Sequence, residues 1–392
     1  MRSFDPSKPK LAIVLSRFPF PLEKGDKLRA YYQIKELAES YNIFLLAISR
    51  ENVTEESKKM LDEFCCEIQI YPQNIFWVAY GLFRSVLNGQ PFQVGYFFNP
   101  LSKRKILQLL TEKQVDHIFC QQIRTTELVK DYHYCPKTLD YMDALSKGME
   151  RRLEKEKGLK KILVRSEWNR LKKYERSIFS YFEFKTIISK QDREYVFHPE
   201  RNEILIVPNG IDTQKFSALD LPKTHDLVFV GNLSYVPNIE AVQMIEKVLQ
   251  LLPNVTCLIA GAEESHAVRK IADKNPQIDL IGWVDDTRKA YCSAKIFIAP
   301  MMINVGMQNK LLEAMCLQMP CITTTLANNA INAVNNETVL LADDAQQFAK
   351  HVADLLQHPE KAQKIGHNAK IFVDATYTWK RSLKSLVDNW KN

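Results

Sequence analysis

The sequence alternates short apolar runs with segments of helical periodicity along nearly its whole length. Runs such as 10–17 and 226–233 have strand length, whereas segment 239–252 repeats apolar residues every three to four positions. Continuous apolar runs are typical of parallel strands that are covered by helices on both faces. The alternation therefore predicts an α/β protein. The predicted strands are 10–17, 42–49, 66–72, 115–121, 137–143, 184–190, 203–208, 226–233, 254–261, 278–284, 295–301, 320–325 and 337–343.

The length of 392 residues suggests two domains, at roughly 150 residues per domain. A turn-rich segment, Val207-Pro208-Asn209-Gly210, follows the seventh predicted strand and is typical of a linker. We therefore expect two doubly wound, Rossmann-like domains at 1–207 and 208–374, facing each other across a cleft. Ligands of such sheets bind at the carboxyl ends of the strands, so those loops are the candidate sites. A terminal helix at 375–392 is expected to return toward the first domain.

The net charge of +7 is unevenly distributed. Residues 1–210 carry a net charge of +8 and the rest of the chain −1, and the segment 147–193 alone carries +8. This segment has helical periodicity and predicts one or two basic amphipathic helices. Three interpretations stay open: a solvated face with local Glu–Lys pairs, a phosphate-bearing acceptor, or an anionic membrane surface. Nucleic acid is not expected, because no recognition motif accompanies the charge.

The eight cysteines contain no C-x-x-C pair and lie mostly in apolar runs, which disfavours a zinc cage and favours a reducing compartment. The first ten residues are polar, so no signal peptide is expected. We expect a cytoplasmic protein, and the basic segment leaves open a peripheral position at the inner face of the cytoplasmic membrane.

The loop after the first strand contains Gly25, Lys27 and Arg29 at the start of a helix. It is neither a G-x-G-x-x-G fingerprint nor a Walker motif, but a glycine at a helix start lets backbone N–H groups approach a phosphate. The alternative is a simple turn with solvent-facing charges. After the fifth strand, Asp143 is expected in the loop and Asp140 within the strand; a helix cap is the alternative role for such an aspartate.

Two loops of the second half have the same character. Gly231 and Asn232 lie between a strand and a helix and could present N–H groups to an anion. Later, a strand and a glycine loop lead into a helix on which Lys310 and Glu313, three positions apart, share one face. A helix N-terminus with a lysine suits a diphosphate, and the glutamate suits two vicinal ribose hydroxyls. A surface ion pair is the competing interpretation.

Several motifs, taken together, resemble glycosyltransferase family 4, which has the GT-B fold. The general likeness lies in KGDKLR, VPNGID and GMQNKLLEAMCLQMPCITT. The segments KGDKLRAYY, SVLNGQPFQVGYF, GNLSYVPNIEAV and GMQNKLLEAM are more similar still to the sugar transferases of exosortase-linked exopolysaccharide systems. Their order and spacing cover nearly the whole chain.

This resemblance implies a retaining hexosyltransferase-type enzyme that moves a sugar from a nucleoside diphosphate to a hydroxyl acceptor. The donor would lie in the second domain and a glycan or lipid-linked acceptor in the first. The implied donor-binding residues are Gly25, Lys27, Arg29, Gly231, Asn232, Gly306, Gln308, Asn309, Lys310 and Glu313. Of these, Glu313 matches the second acid of the Glu-x7-Glu motif.

Two positions depart from the family pattern. Val305 stands where the first acid of that motif would be, and the loop after Gly231 lacks the usual arginine and lysine. The negative charge of the donor diphosphate must then be balanced by Lys310 with its helix dipole, or by Lys27 and Arg29. Asp143, Lys310 and Glu313 are the predicted catalytic residues, with no metal and no cofactor. In the implied same-face transfer the leaving diphosphate helps to deprotonate the acceptor. The alternatives are a nucleotide-sugar 2-epimerase on the same fold and a non-catalytic nucleotide-sugar-binding assembly protein.

Overall fold

The computed structural model of the chain describes residues 1–22, 25–303 and 307–391 and divides into two units. Unit 1 comprises residues 1–208 and the chain from Leu383 onward, and unit 2 comprises 209–382. The boundary falls one residue after the predicted one, and the chain rejoins unit 1 within its last helix.

Unit 1 is a seven-stranded parallel sheet covered by helices on both faces. Its strand order is β3-β2-β1-β4-β5-β6-β7, the doubly wound arrangement that the sequence predicts. The strands are β1 (Lys10–Leu15), β2 (Asn42–Ser49), β3 (Cys65–Pro72), β4 (His117–Gln121), β5 (Lys137–Asp140), β6 (Phe184–Ile187) and β7 (Leu205–Ile206). The helices are α1 (Gly25–Leu37), α2 (Glu55–Asp62), α3 (Ile75–Asn88), α4 (Phe92–Phe97), α5 (Pro100–Lys113), α6 (Thr126–Val129), α7 (Leu145–Lys155), α8 (Gly158–Ile178) and α9 (Lys190–Tyr195).

Alternation along β1 explains why its whole run is apolar. Leu11, Ile13 and Leu15 pack into the core on one face of the sheet, and Ala12 and Val14 pack into the core on the other. Both faces are therefore dry, as the continuous apolar runs predicted.

Unit 2 repeats the plan with a six-stranded parallel sheet of order β10-β9-β8-β11-β12-β13. Its strands are β8 (His225–Val230), β9 (Cys257–Ala260), β10 (Ile278–Gly282), β11 (Ala294–Ala299), β12 (Cys321–Thr323) and β13 (Leu340–Leu341). Its helices are α10 (Val236–Gln250), α11 (His266–Lys274), α12 (Thr287–Cys292), α13 (Asn309–Cys316), α14 (Thr325–Asn328), α15 (Ala345–Gln357) and α16 (Pro359–Thr376), and α17 (Trp379–Lys391) carries the chain back into unit 1.

Each predicted strand is present, although most are shorter than predicted at their carboxyl ends. β5, for example, ends at Asp140 rather than at 143, and β8 ends at Val230 rather than at 233. The residues beyond these ends include apolar side chains such as Tyr141, Met142 and Leu233, but they leave the ladder to form the loops at one edge of each sheet.

The end of α17 completes the core of unit 1. Leu383 and Leu386 are buried in the face that also holds Leu11 and Ile13. The indole of Trp390 lies 4.3 Å from the His117 ring, centroid to centroid, and donates a hydrogen bond of 2.7 Å to Thr138.

A buried ion pair joins the first helix of unit 1 to its fifth strand. Arg29, on α1, is fully buried and donates to both carboxylate oxygens of Asp140, at 2.7 and 3.1 Å. Gln33 and Thr186 donate to the same carboxylate, and Arg29 also donates to the Val207 carbonyl. The pair therefore holds α1, β5, β6 and the end of β7 together.

Removing one member of this pair should destabilise unit 1 strongly, because an uncompensated charge would stay buried. We expect Arg29→Met to lower the free energy of unfolding by about 3–5 kcal/mol. Hydrogen exchange under increasing urea should show loss of protection in β5, while β11 in unit 2 keeps its protection. Lys370→Met, which breaks a surface pair with Asp374 on α16, is the matched control and should cost less than about 0.5 kcal/mol. Equal protection of β5 in the two variants would contradict the assignment.

Candidate functional site

Two glycines form the floor of the candidate site in unit 2, just after β8 and β9. A Cβ on Gly261, whose φ is +152°, would lie 1.6 Å from the Gly231 carbonyl oxygen. A Cβ on Gly231 would lie 2.8 Å from the Nζ of Lys310 and from the Nδ2 of Asn238. The absence of a side chain at 231 therefore makes room for the lysine over the strand end.

Lys310 lies in the first turn of α13 and points at this floor. Its Nζ donates to Asn238 Oδ1 at 2.6 Å and lies 4.5 Å from the centre of the Phe229 ring. Desolvation lowers the pKa of Lys310 to about 7, although Glu313 acts in the opposite direction. The charged form of Lys310 is therefore destabilised by burial, and an anionic ligand would stabilise it.

Glu313 lies one turn further along α13 and has a different partner. The buried hydroxyl of Tyr291 donates to its Oε2 at 2.8 Å, and burial raises the pKa of Glu313. Lys310 and Glu313 therefore lie on one side of the helix, and each is held by a neutral polar neighbour. They do not form a surface ion pair with each other.

The remaining predicted donor residues of unit 2 differ in their surroundings. Gln308 is the N-cap residue of α13, and Asn309 accepts a hydrogen bond of 3.1 Å from Asn209. The predictions on Gly306 and Val305 lie outside the described residues. Asn232 uses its amide locally: its oxygen accepts from Ser234 and Tyr235, and its nitrogen donates to Glu263. The Asn232 side chain therefore shapes the loop, and the contact of this loop's N–H groups with an anion stays a prediction.

In unit 1, Asp143 lies in the loop after β5, where the sequence placed it. Its Oδ1 is buried and, among the described residues, has no hydrogen-bond partner. Desolvation, and after it the charge of Asp192, raise the pKa of Asp143 to about 6, against the pull of Arg124. A carboxylate with one buried, unpartnered oxygen and a pKa raised to about 6 is typical of a functional group.

The backbone beside Asp143 is strained. Met142 has φ +63°, and Gln122, at the end of neighbouring β4, has φ +63° and ψ 152°. Neither residue is a glycine, and such conformations cost of order 1–3 kcal/mol each. Backbone strain of this kind is concentrated at functional sites. Here it lies at the ends of two adjacent central strands, and it could not be predicted from the sequence.

A cavity of about 680 Å³ opens at the same edge of unit 1. Among the described residues, four cations line it, Arg17, Lys27, Arg50 and Arg124, against one carboxylate, Glu51. Arg124 donates to Gln122 and Gln93 through its terminal nitrogens, while its buried Nε has no partner among the described residues. The apolar wall consists largely of aromatic residues, namely Phe18, Phe20, Phe92, Tyr96 and Phe97. Arg17, Arg50 and Arg124 are the residues that the sequence reasoning missed, because no motif marks them.

The first-loop residues separate in the structure. A Cβ on Gly25 would meet no described atom within 4 Å, so the packing of the described chain does not require a glycine there. Lys27 reaches the cavity wall, with its Nζ 3.9 Å from a carboxylate oxygen of Glu51. The prediction that Arg29 meets donor phosphates is wrong for this structure, because its guanidinium is buried against Asp140.

The raised pKa of Asp143 has a consequence for stability. A buried acid that takes up its proton at about pH 6 rather than 4 loses native-state stability as the pH rises through that interval, by about 3 kcal/mol in total. We expect Asp143→Asn to be more stable than the wild type at pH 8 by up to this amount, relative to the difference at pH 4. Thermal unfolding at the two pH values measures it. Asp273→Asn, at an exposed position on α11, is the control, and a pH-independent difference for Asp143→Asn would refute the interpretation.

Comparisons with known proteins agree with this geometry. Residues 224–358, the greater part of unit 2, match the family described as Glycosyl transferases group 1. Over 96% of the chain, it is 24% identical to an uncharacterized 44.6 kDa protein in the cps region of Klebsiella pneumoniae, of which the match covers 98%. It is 27% identical over 43% of its length to the capsular polysaccharide biosynthesis glycosyltransferase CapM of Staphylococcus aureus, of which the match covers 49%.

Among solved structures, Anabaena Alr3699/HepE in complex with UDP-glucose superposes with a TM-score of 0.69 at 11% identity, over 97% of this chain and 99% of that one. That likeness shows the fold. No helix in the described part of the chain is both long and apolar enough to cross a membrane. The two doubly wound units and the group 1 match support a glycosyltransferase of the GT-B fold, and they do not favour an epimerase or a non-catalytic binding protein.

Proposed function

We propose that the chain is a retaining glycosyltransferase that moves a hexose from a nucleoside diphosphate to a hydroxyl acceptor in cell-surface or exo-polysaccharide biosynthesis. The observation that carries the proposal is the pair Lys310 and Glu313, set one turn apart on α13 and fixed by separate neutral partners. The name of the CapM relative and the UDP-glucose complex of the Anabaena protein support the same class of reaction. The likeness to family 4, with its exosortase-linked subgroup, remains part of the proposal.

Unit 2 would bind the nucleotide. The carboxylate of Glu313, oriented by Tyr291, is suited to accept hydrogen bonds from two vicinal ribose hydroxyls. Lys310 and the N–H groups at the start of α13, with Gln308 and Asn309, would meet the diphosphate. The Gly231 floor leaves space for this contact, since any side chain there would displace the lysine.

Unit 1 would bind the acceptor. The cationic cavity, with aromatic walls beside Arg17 and Arg124, fits an acceptor that carries phosphate as well as a sugar or lipid group. Asp143 lies near Arg124, whose charge lowers its pKa, and would orient the acceptor hydroxyl or the transferred sugar.

The transfer forms one bond and breaks one. The acceptor oxygen attacks the anomeric carbon from the face that the diphosphate leaves, and the bond from that carbon to the phosphate oxygen breaks. The proton of the acceptor hydroxyl passes to the departing diphosphate oxygen. Lys310 and the dipole of α13 stabilise the charge that develops on the diphosphate, which is where such an enzyme gains most of its rate.

The nucleotide contact can be tested without knowing the donor sugar. We expect Glu313→Ala to weaken binding of UDP or GDP, whichever the wild type prefers, by about 10- to 100-fold, as for the loss of charged hydrogen bonds. Isothermal titration calorimetry measures it, and Tyr291→Phe should give a smaller loss because the carboxylate remains but is no longer held. Glu360→Ala, exposed in the first turn of α16, is the control. Unchanged nucleotide affinity in Glu313→Ala would refute the assignment.

Epimerase activity is tested by product analysis with the donor alone. An epimer that forms without any acceptor would show an epimerase, and its absence would exclude one.

Lys310 gives the proposal a pH signature. A lysine with a pKa of about 7 is charged below that pH, so the affinity for a nucleoside diphosphate should fall as the pH rises from 7 to 9, by about tenfold or more. Lys310→Arg should flatten this dependence, because a guanidinium stays charged throughout. Lys289→Arg, exposed on α12, should keep the wild-type slope. Parallel curves for Lys310→Arg and the wild type would show that another group carries the pH dependence.

A further inference from the structure

Helix α3 presents an apolar face to solvent. Its outward side chains recur at helical spacing and are between 45% and 79% exposed, and they are Ile75, Phe76, Tyr80, Phe83, Val86 and Leu87. The helix has one charged residue, Arg84, which points away from this face to pair with Glu127. Soluble proteins rarely expose so many large apolar groups together unless the surface binds something.

The opposite face of α3 is fixed against α4 by backbone contact. A Cβ on Gly81 would lie 1.9 Å from the Gly95 carbonyl oxygen, and a Cβ on Gly95 would lie 2.0 Å from the hydroxyl of Ser85. This crossing is too close to allow rotation of the helix. The apolar side chains therefore face outward because of the packing, and they are not a core face that has been left open.

Helix α8 provides the second part of this surface. Its only two acidic residues, Glu167 and Glu175, are buried, so the charges that it presents to solvent are cationic. At its amino-terminal end Leu159, Ile162 and Leu163 are 63–81% exposed, beside exposed Lys160 and Lys161. Helix α7 differs, since Lys147 pairs with Glu150 and Arg152 with Glu156. The basic character of segment 147–193 is thus concentrated on α8.

Hydrogen bonds join the two helices. Arg170 of α8 donates to the Ser85 carbonyl at the end of α3 and to the Gln90 carbonyl after it. Glu167 accepts from the first two N–H groups of α4. Leu163 lies one helical turn before Glu167, on the same side of α8. Leu163, Glu167 and Arg170 thus lie along one side of α8, the side that meets the end of α3 and the start of α4.

We propose that the outer face of α3 and the amino-terminal half of α8 form one docking surface for an anionic lipid bilayer. Aromatic and aliphatic side chains flanked by lysines and arginines match an interface with acyl chains below and anionic headgroups above. The cationic residues of α8 favour an anionic partner over a second copy of the chain, which carries the same charges on this surface. The inference stands apart from the proposed reaction, since none of these residues belongs to the donor site or to the cationic cavity.

Vesicle co-sedimentation of the full chain tests the surface. We expect binding to vesicles of phosphatidylcholine with about one-third phosphatidylglycerol, weakened by salt, and little binding to phosphatidylcholine alone. Phe76→Ser/Phe83→Ser and Lys160→Glu/Lys161→Glu should each reduce the affinity about tenfold or more. The matched controls in unit 2 are Trp283→Ser/Ile371→Ser, for exposed apolar groups, and Lys270→Glu/Lys274→Glu, for exposed lysines; both should bind as the wild type does.

Nucleotide affinity, measured on the same proteins, separates this inference from the proposed function. It should be equal in all variants, and a wild type that binds vesicles but no nucleotide would refute the reaction and leave the surface intact. The surface is refuted if the wild type ignores anionic vesicles or if Phe76→Ser/Phe83→Ser binds them normally. A dimer that this variant converts to a monomer, without vesicle binding by either form, would assign the face to a second copy instead.

Discussion

The buried pair between Arg29 and Asp140 determines the shape of the functional edge of unit 1. Asp140 ends β5, so its position sets the start of the loop that carries Asp143. Arg29 lies one turn into α1, so its position sets the start of that helix, which carries Lys27. A bidentate contact of 2.7 and 3.1 Å in a fully buried setting tolerates little movement of either element. The loop after β5 and the start of α1 are thereby fixed with respect to each other, although they are more than a hundred residues apart in sequence.

The edge of unit 2 uses neutral partners instead. Asn238 holds Lys310 and Tyr291 holds Glu313, but neither partner carries a charge. The charged forms of Lys310 and Glu313 therefore stay destabilised by burial, and a bound ligand can stabilise them. The same holds for Asp143 in unit 1, whose pKa is raised to about 6. Such groups destabilise the folded protein, and they are expected where function requires them.

The fold could be predicted because parallel strands that are buried on both faces appear in the sequence as continuous apolar runs. The position of Asp143 and the shared face of Lys310 and Glu313 followed from strand ends and helical spacing. The fate of Arg29 did not, because its burial depends on Asp140, Gln33 and Thr186 meeting in space. The cationic cavity escaped prediction for the same reason: Arg17, Arg50 and Arg124 follow three different strands. The exposure of the apolar face of α3 could not be predicted either, since periodicity does not say which side of a helix is covered.

The close crossing of Gly81 and Gly95 has a further consequence for how this protein can vary. Because backbone atoms hold α3 in place, its outward side chains add little to the free energy of folding. Substitutions at those positions are therefore nearly neutral for the folded state, whatever they do to the surface. Affinity for whatever lies against α3 can change over evolution, or be altered by design, without a compensating change in the core.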